Sequence, residues 1–242
     1  MFEVFGISGK DLRILMQIIL DHADQFQRVI LFGSRARGDN RKHSDIDLAV
    51  NYKNKNTHFQ FDLEESRLPY TVDIVDLALE KETKLKMFIQ KEGIVLYDDA
   101  DKTVGERWMT EAILKEKLAD FKAALLRLKE ALSKKLDADD LYLDATIQRF
   151  EFTYELCWKL MKAYLQHIGV EVNNPRAAIR ESIKQEIIAD KPEWFDMLEK
   201  RNLTTHAYHE DIALSVYSAI KKHFSRLFSD FEKNISSLIT KS

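Results

Sequence analysis

The stretch GSRARGDNRKHSDIDLAV, residues 33–50, decides how the first part of the chain folds and poses its chemical question. It follows RVILF, a short β-branched run ended by Gly33, which reads as a buried strand. DIDLAV reads as a second strand. On a strand Asp45 and Asp47 share one face, while Ile46 and Leu48 point to the other, into a core. Two carboxylates on one face repel each other unless a cation neutralises them. A hard divalent ion suits such oxygen ligands, and Mg²⁺ typically takes one or two carboxylates plus substrate phosphates. Asp73 is the natural third ligand, because it interrupts the apolar strand YTVDIVDLAL where a lone charge is costly. Asp76, three residues on, faces the opposite way or ends the strand.

Gly33 lets the backbone approach a phosphate closely, and N–H groups at such a strand end form an anion nest. The Ser34 hydroxyl adds a donor, and Arg35 and Arg37 supply charge for a polyphosphate. An Asp-x-Asp pair alone reads more readily as a polar turn followed by a solvated edge strand. The ordered set of phosphate site, carboxylate pair and third carboxylate describes metal-assisted phosphoryl or nucleotidyl transfer.

Outward from this stretch the chain has two grammars. SGKDLRILMQIIL opens with Ser8 and Asp11 in a capping-box-like start, with Leu12, Leu15 and Ile19 at helical spacing. KETKLKMFIQKEG reads as a helix ending at Gly93. Residues 1–100 therefore read as a small α/β domain, and the polar stretch 98–106 as a linker. From 107 to 242 the pattern is helical. Leu114, Leu118, Phe121, Leu125, Leu128 and Leu132 form one apolar stripe. Leu143, Ile147, Phe150, Tyr154, Cys157, Met161, Tyr164 and Ile168 form another. Asn174-Pro175 supplies an N-cap and a first-turn proline, Asp190 with Glu193 a second capping box, and Ile212 to Leu238 a long last helix. The expected fold class is α+β, a small mixed sheet followed by an all-α bundle of four or five helices.

The 242 residues carry 37 Lys and Arg against 40 Asp and Glu, a formal net charge of -3, so no global field draws the chain to nucleic acid or membrane. The single cysteine, Cys157, excludes an internal disulfide and reads as a small buried hydrophobe. Neither a signal pattern nor an apolar run of about 18 residues is present, so a cytoplasmic protein without a membrane span is expected.

Gly33-Ser34, Asp45-Ile46-Asp47 and the later Asp73 resemble the minimal nucleotidyltransferases of the polymerase-β-like superfamily, over about residues 10–97. The resemblance implies ATP as donor, two Mg²⁺ ions and attack by an acceptor on the α-phosphate. It implies that Gly33 and Ser34 hold the β- and γ-phosphates, that Asp45 and Asp47 bind the metals, and that Asp73 helps activate the acceptor.

RFEFTYELCWKLMKAYLQHIG (149–169) and RNLTTHAYHED (201–211) resemble the helical partners of these enzymes within the HEPN superfamily, over about residues 108–240. Usually the two are separate proteins; here they are fused. The HEPN signature is Arg, four to six residues, then His, and Arg201, Asn202 and His206 fit it. A related toxin branch extends it to a following tyrosine, matched by Tyr208, an AMP acceptor in that reading. Arg201 keeps its charge and suits phosphate, while His206 titrates near neutrality. Together they cleave RNA or simply hold a nucleotide. The same residues also fit a charged helix end with N-cap threonines. Phe150, Phe152, Tyr154 and Trp158 read as core and dimer contact rather than a base-stacking platform.

Three functions compete. The first is a nucleotidyltransferase whose helical half recognises or presents an RNA or protein acceptor. The second is a single-chain toxin–antitoxin unit whose ribonuclease is silenced by AMPylation. The third is a non-catalytic nucleotide-binding dimer. Fusion argues against a freely acting toxin, because a tethered inhibitor is always present at high effective concentration. The resemblance implies a homodimer or higher assembly through the helical half.

Overall fold

The structure is a computed structural model that describes residues 3–134, 140–204 and 210–241. It divides into two compact units, Met1–Glu116 and Lys117–Ser242. The first is a mixed sheet with helices and the second is helical, the α+β class expected.

The first unit opens with a hairpin of β1 (Glu3–Val4) and β2 (Ile7–Ser8). Ser8 then caps α1 (Gly9–Asp21): its side chain accepts the Asp11 N–H, as the sequence indicates. β3 (Phe26–Phe32), α2 (Gly33–Arg37), β4 (Ile46–Tyr52), α3 (His58–Glu64), β5 (Val72–Asp76), α4 (Thr83–Glu92) and β6 (Ile94–Asp98) follow. The sheet order is β5-β4-β3-β6, with β4 and β5 parallel and the other neighbours antiparallel.

Period-two alternation gives the sheet two apolar faces. Val29, Leu31, Ile46, Leu48 and Val50 pack in one cluster with Leu12, Leu15, Met16 and Ile19 of α1 and Phe59 and Leu63 of α3. Ile30, Phe32 and Ala49 pack on the other face with Ile89 of α4. Asp47 alternates with Ile46 and Leu48, so it belongs to the α4 face.

The stretch read as a linker is mostly structured. β6 ends at Asp98 and α5 (Thr103–Ser133) begins five residues later, so only 99–102 connect them. The division between units falls inside α5. Polar residues here mimic a linker because Asp101 caps the helix: its carboxylate accepts from the Thr103 N–H and hydroxyl.

The second unit holds the rest of α5, α6 (Asp140–His167), α7 (Pro175–Lys184), α8 (Glu193–Leu203), α9 (Glu210–Ala219) and α10 (Ser225–Lys241). Its core mixes aliphatic side chains such as Leu118, Leu128, Leu160 and Ile235 with aromatic rings: Phe121 lies 5.4 Å from Phe231, and Phe150 stacks on Phe224 at 5.7 Å. Asn174 caps α7 by accepting the Ala177 N–H. The expected Asp190–Glu193 box does not form; the N-cap of α8 is Pro192, which has no side-chain donor or acceptor. The expected single last helix is interrupted by π-helical residues Ile220–Phe224. Phe150 and Tyr154 are core, but Phe152 is 58% exposed. No helix among the described residues is long and apolar enough to cross a membrane.

Candidate active site

The register of the sheet builds the site. Asp47 pairs across β4 and β5 with Asp73, and across β4 and β3 with Phe32, the residue before Gly33. The strand pairing thus brings together three stretches that the sequence separates. Asp45 lies just ahead of β4 and is exposed, Asp47 is half-buried and Asp73 is exposed. Asp76 is the last residue of β5, opposite Val50, and pairs with Lys55 at 3.0 Å, apart from the candidate triad of Asp45, Asp47 and Asp73.

Gly33 has φ +74°, and a Cβ built on it would lie 2.1 Å from Asp47 Oδ2. Only glycine leaves room for that carboxylate beside the turn, so Gly33 is what lets the end of β3 and Asp47 of β4 pack this closely. Burial first, then Asp73 and then Asp45, push the Asp47 carboxyl above the ordinary carboxylate range, against smaller pulls from Arg37 and Arg35. Burial and crowding by like charges thus both disfavour the ionised form of Asp47. Among the described residues no three His, Cys, Asp or Glu side chains already close on one point. The cradle beside Gly33 and the crowded Asp47 nonetheless fit a hard cation that completes its shell with substrate phosphates.

Ser34, the second residue of α2, is half-buried, and Gly38 caps the helix at φ +79°. Arg37 stays exposed, 3.2 Å from Asp39 and over the Phe88 ring at 5.4 Å. Arg35, expected to supply charge for a polyphosphate, is instead buried. Its guanidinium is 0% exposed and donates to the carbonyls of Phe5, Gly6, Ser44 and Asp45. Buried and turned to these carbonyls, it does not face a bound polyphosphate as expected.

A cavity of about 750 Å³ on the first unit lies around Arg28, Asn51, Lys53, Lys86 and Asp98, at the far ends of the strands, and holds none of the triad. A hollow of about 540 Å³ lined by Leu63, Tyr70, Thr71 and Ile74 does include Asp73.

In the second unit Arg201 pairs with Glu155 at 3.1 Å, and Glu155 also accepts from Trp158 Nε1 at 2.9 Å. Glu151 lies 2.5 Å from the Thr204 hydroxyl at the end of α8. Arg201 Nε and the Tyr154 hydroxyl are buried with no partner among the described residues. Burial is the main cause that pushes the Tyr154 hydroxyl far up. His206 and Tyr208 lie outside the described residues. Sequence spacing reveals Arg201 but not Glu155, because nothing in either stretch marks their pairing across α6 and α8.

Known proteins bear on both units. The family described as nucleotidyltransferase substrate binding protein like matches residues 116–237. The polymerase beta nucleotidyltransferase family matches residues 16–102. A Haemophilus influenzae protein named "Probable ribonuclease HepT" is 34% identical over 86 residues, 34% of this chain and 59% of that protein. The chain thus spans less than two thirds of that relative's length. A crystal structure from Thermus thermophilus shares 29% identity, with TM-score 0.43, over 49% of this chain and 98% of that one. A Haemophilus influenzae structure, described as the fold of a substrate binding domain of a nucleotidyltransferase, shares 23% identity with TM-score 0.40. It covers 52% of this chain and 98% of its own.

Proposed function

The chain belongs to the nucleotidyltransferase substrate binding protein like family and carries a polymerase beta nucleotidyltransferase domain ahead of it, and from that premise we propose that it transfers a nucleoside monophosphate, AMP from ATP, to an acceptor presented by the helical half. The observation that carries the reading is the juxtaposition of Gly33, Asp47 and Asp73 by strand register and a glycine-only contact. In this reading Asp45 and Asp47 hold Mg²⁺. The ion, when bound, neutralises charge on the triphosphate and lowers the cost of forming the attacking oxyanion.

The chain's own groups do the rest. Backbone N–H groups at Gly33 and Ser34 and the Ser34 hydroxyl hold the β- and γ-phosphates. Arg37 faces the departing pyrophosphate. Asp73, beside the 540 Å³ hollow, takes the proton of the acceptor hydroxyl. The acceptor oxygen bonds to the α-phosphorus, the bond from the α-phosphorus to the bridging oxygen breaks, and pyrophosphate leaves with that electron pair. Tyr208 is the acceptor proposed within the chain, with Arg201 neutralising the incoming phosphate. RNA is the external alternative. Homodimerisation through the helical half and residence in the cytoplasm belong to the same reading.

The test is incubation with each of four α-labelled nucleoside triphosphates and Mg²⁺, followed by separation of protein and RNA. Label on protein that disappears in Tyr208→Phe supports the internal acceptor. Equal label in Tyr208→Phe removes Tyr208 but leaves the transferase. A second reading, a ribonuclease in the helical half, rests on Arg201 held by Glu155 and on the relative's name. It requires cleavage of added RNA that Arg201→Ala abolishes.

A further inference from the structure

Arg35 heads the largest side chains buried completely among the described residues. Its Nε donates to the carbonyls of Ser44 at 3.2 Å and Asp45 at 3.1 Å. Nη1 donates to Phe5 at 3.1 Å and Gly6 at 2.9 Å, and Nη2 to Ser44 at 2.6 Å. The guanidinium lies over the Tyr70 ring at 4.3 Å. A guanidinium cannot shed its proton, so a buried one carries a permanent desolvation cost, which these carbonyl acceptors offset. An apolar side chain fills a core position more cheaply.

The segments gathered by this cation explain its presence. Arg35 sits in α2, whose first residues are Gly33 and Ser34. Two of its acceptors are the carbonyl of Asp45 itself and that of the residue before it. Tyr70 stands three residues ahead of Asp73. The remaining acceptors come from the β1–β2 turn, where Phe5 has φ 56° and Gly6 φ 65°. Positive φ is strained for a bulky residue such as phenylalanine. The strain is retained where the turn delivers both carbonyls to Nη1. The Phe5 ring is pinned by Trp108 at 5.0 Å.

We propose that Arg35 is a positioning residue, a guanidinium held by the Phe5-Gly6 turn that sets Gly33-Ser34, Asp45 and Asp73 in place relative to one another. This rests on the nucleotidyl-transfer reading of those residues. It assigns a role to the N-terminal hairpin, which supplies two of the cation's acceptors. Lysine does not substitute, because a single ammonium cannot span a fork of carbonyls and lie flat on Tyr70.

The test uses the full chain with Mn²⁺ as probe, its affinity read by electron paramagnetic resonance with and without α,β-methylene-ATP. Wild type binds Mn²⁺ more tightly with the nucleotide analogue. Folded Arg35→Lys, verified by near-ultraviolet circular dichroism, binds Mn²⁺ at least tenfold more weakly. In Arg35→Ala, millimolar guanidinium restores Mn²⁺ affinity; it does nothing for Asp45→Asn. A residue that merely stabilised the fold would lower the melting temperature and leave the Mn²⁺ affinity of the folded protein intact, and that result overturns the proposal. Tyr70→Leu keeps the five hydrogen bonds of Arg35, so it serves if the Arg35 variants do not fold. Its Mn²⁺ affinity falls three- to tenfold, and an unchanged affinity counts against the proposal. Wild type that binds neither Mn²⁺ nor the analogue overturns the nucleotidyl-transfer reading itself, and this proposal with it.

Discussion

Replacing Gly33 by alanine separates the roles of backbone and carboxylate in the site. The added Cβ would lie 2.1 Å from Asp47 Oδ2, where real contacts essentially never fall under 3.0 Å, so the carboxylate must move by about 0.9 Å. The backbone at φ +74° adds a cost of about 1–2 kcal/mol for any residue with a Cβ. A loss of that size lowers the melting temperature by roughly 5 °C. Displacing a reacting group by about 1 Å costs on the order of 100-fold in rate. Gly38→Ala is the matched control: φ is +79° there, but nothing lies within 4 Å of the new Cβ. Urea unfolding and nucleotidyl transfer are measured on both. Gly33→Ala loses stability and about two decades of activity; Gly38→Ala loses similar stability and keeps its activity. Wild-type transfer by Gly33→Ala, or an equal loss in Gly38→Ala, refutes the steric argument.

Asp45→Asn and Asp47→Asn abolish transfer without unfolding the chain, and without divalent ions Asp47→Asn melts no lower than wild type. The sign follows from the raised Asp47 carboxyl: its neutral form is favoured in the fold, so stability is full below the unfolded value of about 3.8 and is lost as pH rises through the folded value. The advantage of Asp47→Asn over wild type is therefore present at neutral pH and fades on acidification, and melting curves from pH 3 to 8 show whether it does. Tyr154→Phe removes a buried hydroxyl that has no partner among the described residues, so it leaves stability at neutral pH equal or higher. Because burial raises that phenol, wild type loses stability as pH climbs past about 10, and chemical unfolding at pH 11 is expected to favour the variant. Glu155→Gln removes the charge opposite Arg201; if Arg201 holds phosphate, nucleotide affinity of the helical half rises, and unchanged affinity in calorimetry contradicts that role.

Much of the candidate site is legible in the sequence because strand alternation and residue type mark its residues. Ile46 and Leu48 facing one way require Asp47 between them to face the other, and the charge of Asp73 in an apolar strand marks it without any coordinates. What the sequence does not reveal depends on long-range contact. Arg35 and Arg37 stand two residues apart with the same chemistry, yet one is sealed under carbonyls from residues 5, 6, 44 and 45 while the other faces solvent. The close approach of Gly33 to Asp47 arises from β3–β4 pairing, which no local pattern encodes. β6 escapes a reading by pattern because IVLYD is short and follows a helix directly, and the start of α5 is hidden because its capping aspartate resembles a linker.

In the proposed reaction the α-phosphate moves to the acceptor. Full-length protein incubated with Mg²⁺ and ATP labelled at either the α- or the γ-phosphate, then denatured and resolved from free nucleotide, tests it directly. Covalent label is expected from α-labelled ATP on the protein or on added RNA, none from γ-labelled ATP, and none from either with Asp45→Asn. Label from the γ-phosphate, or α-label that persists in Asp45→Asn, contradicts the claim.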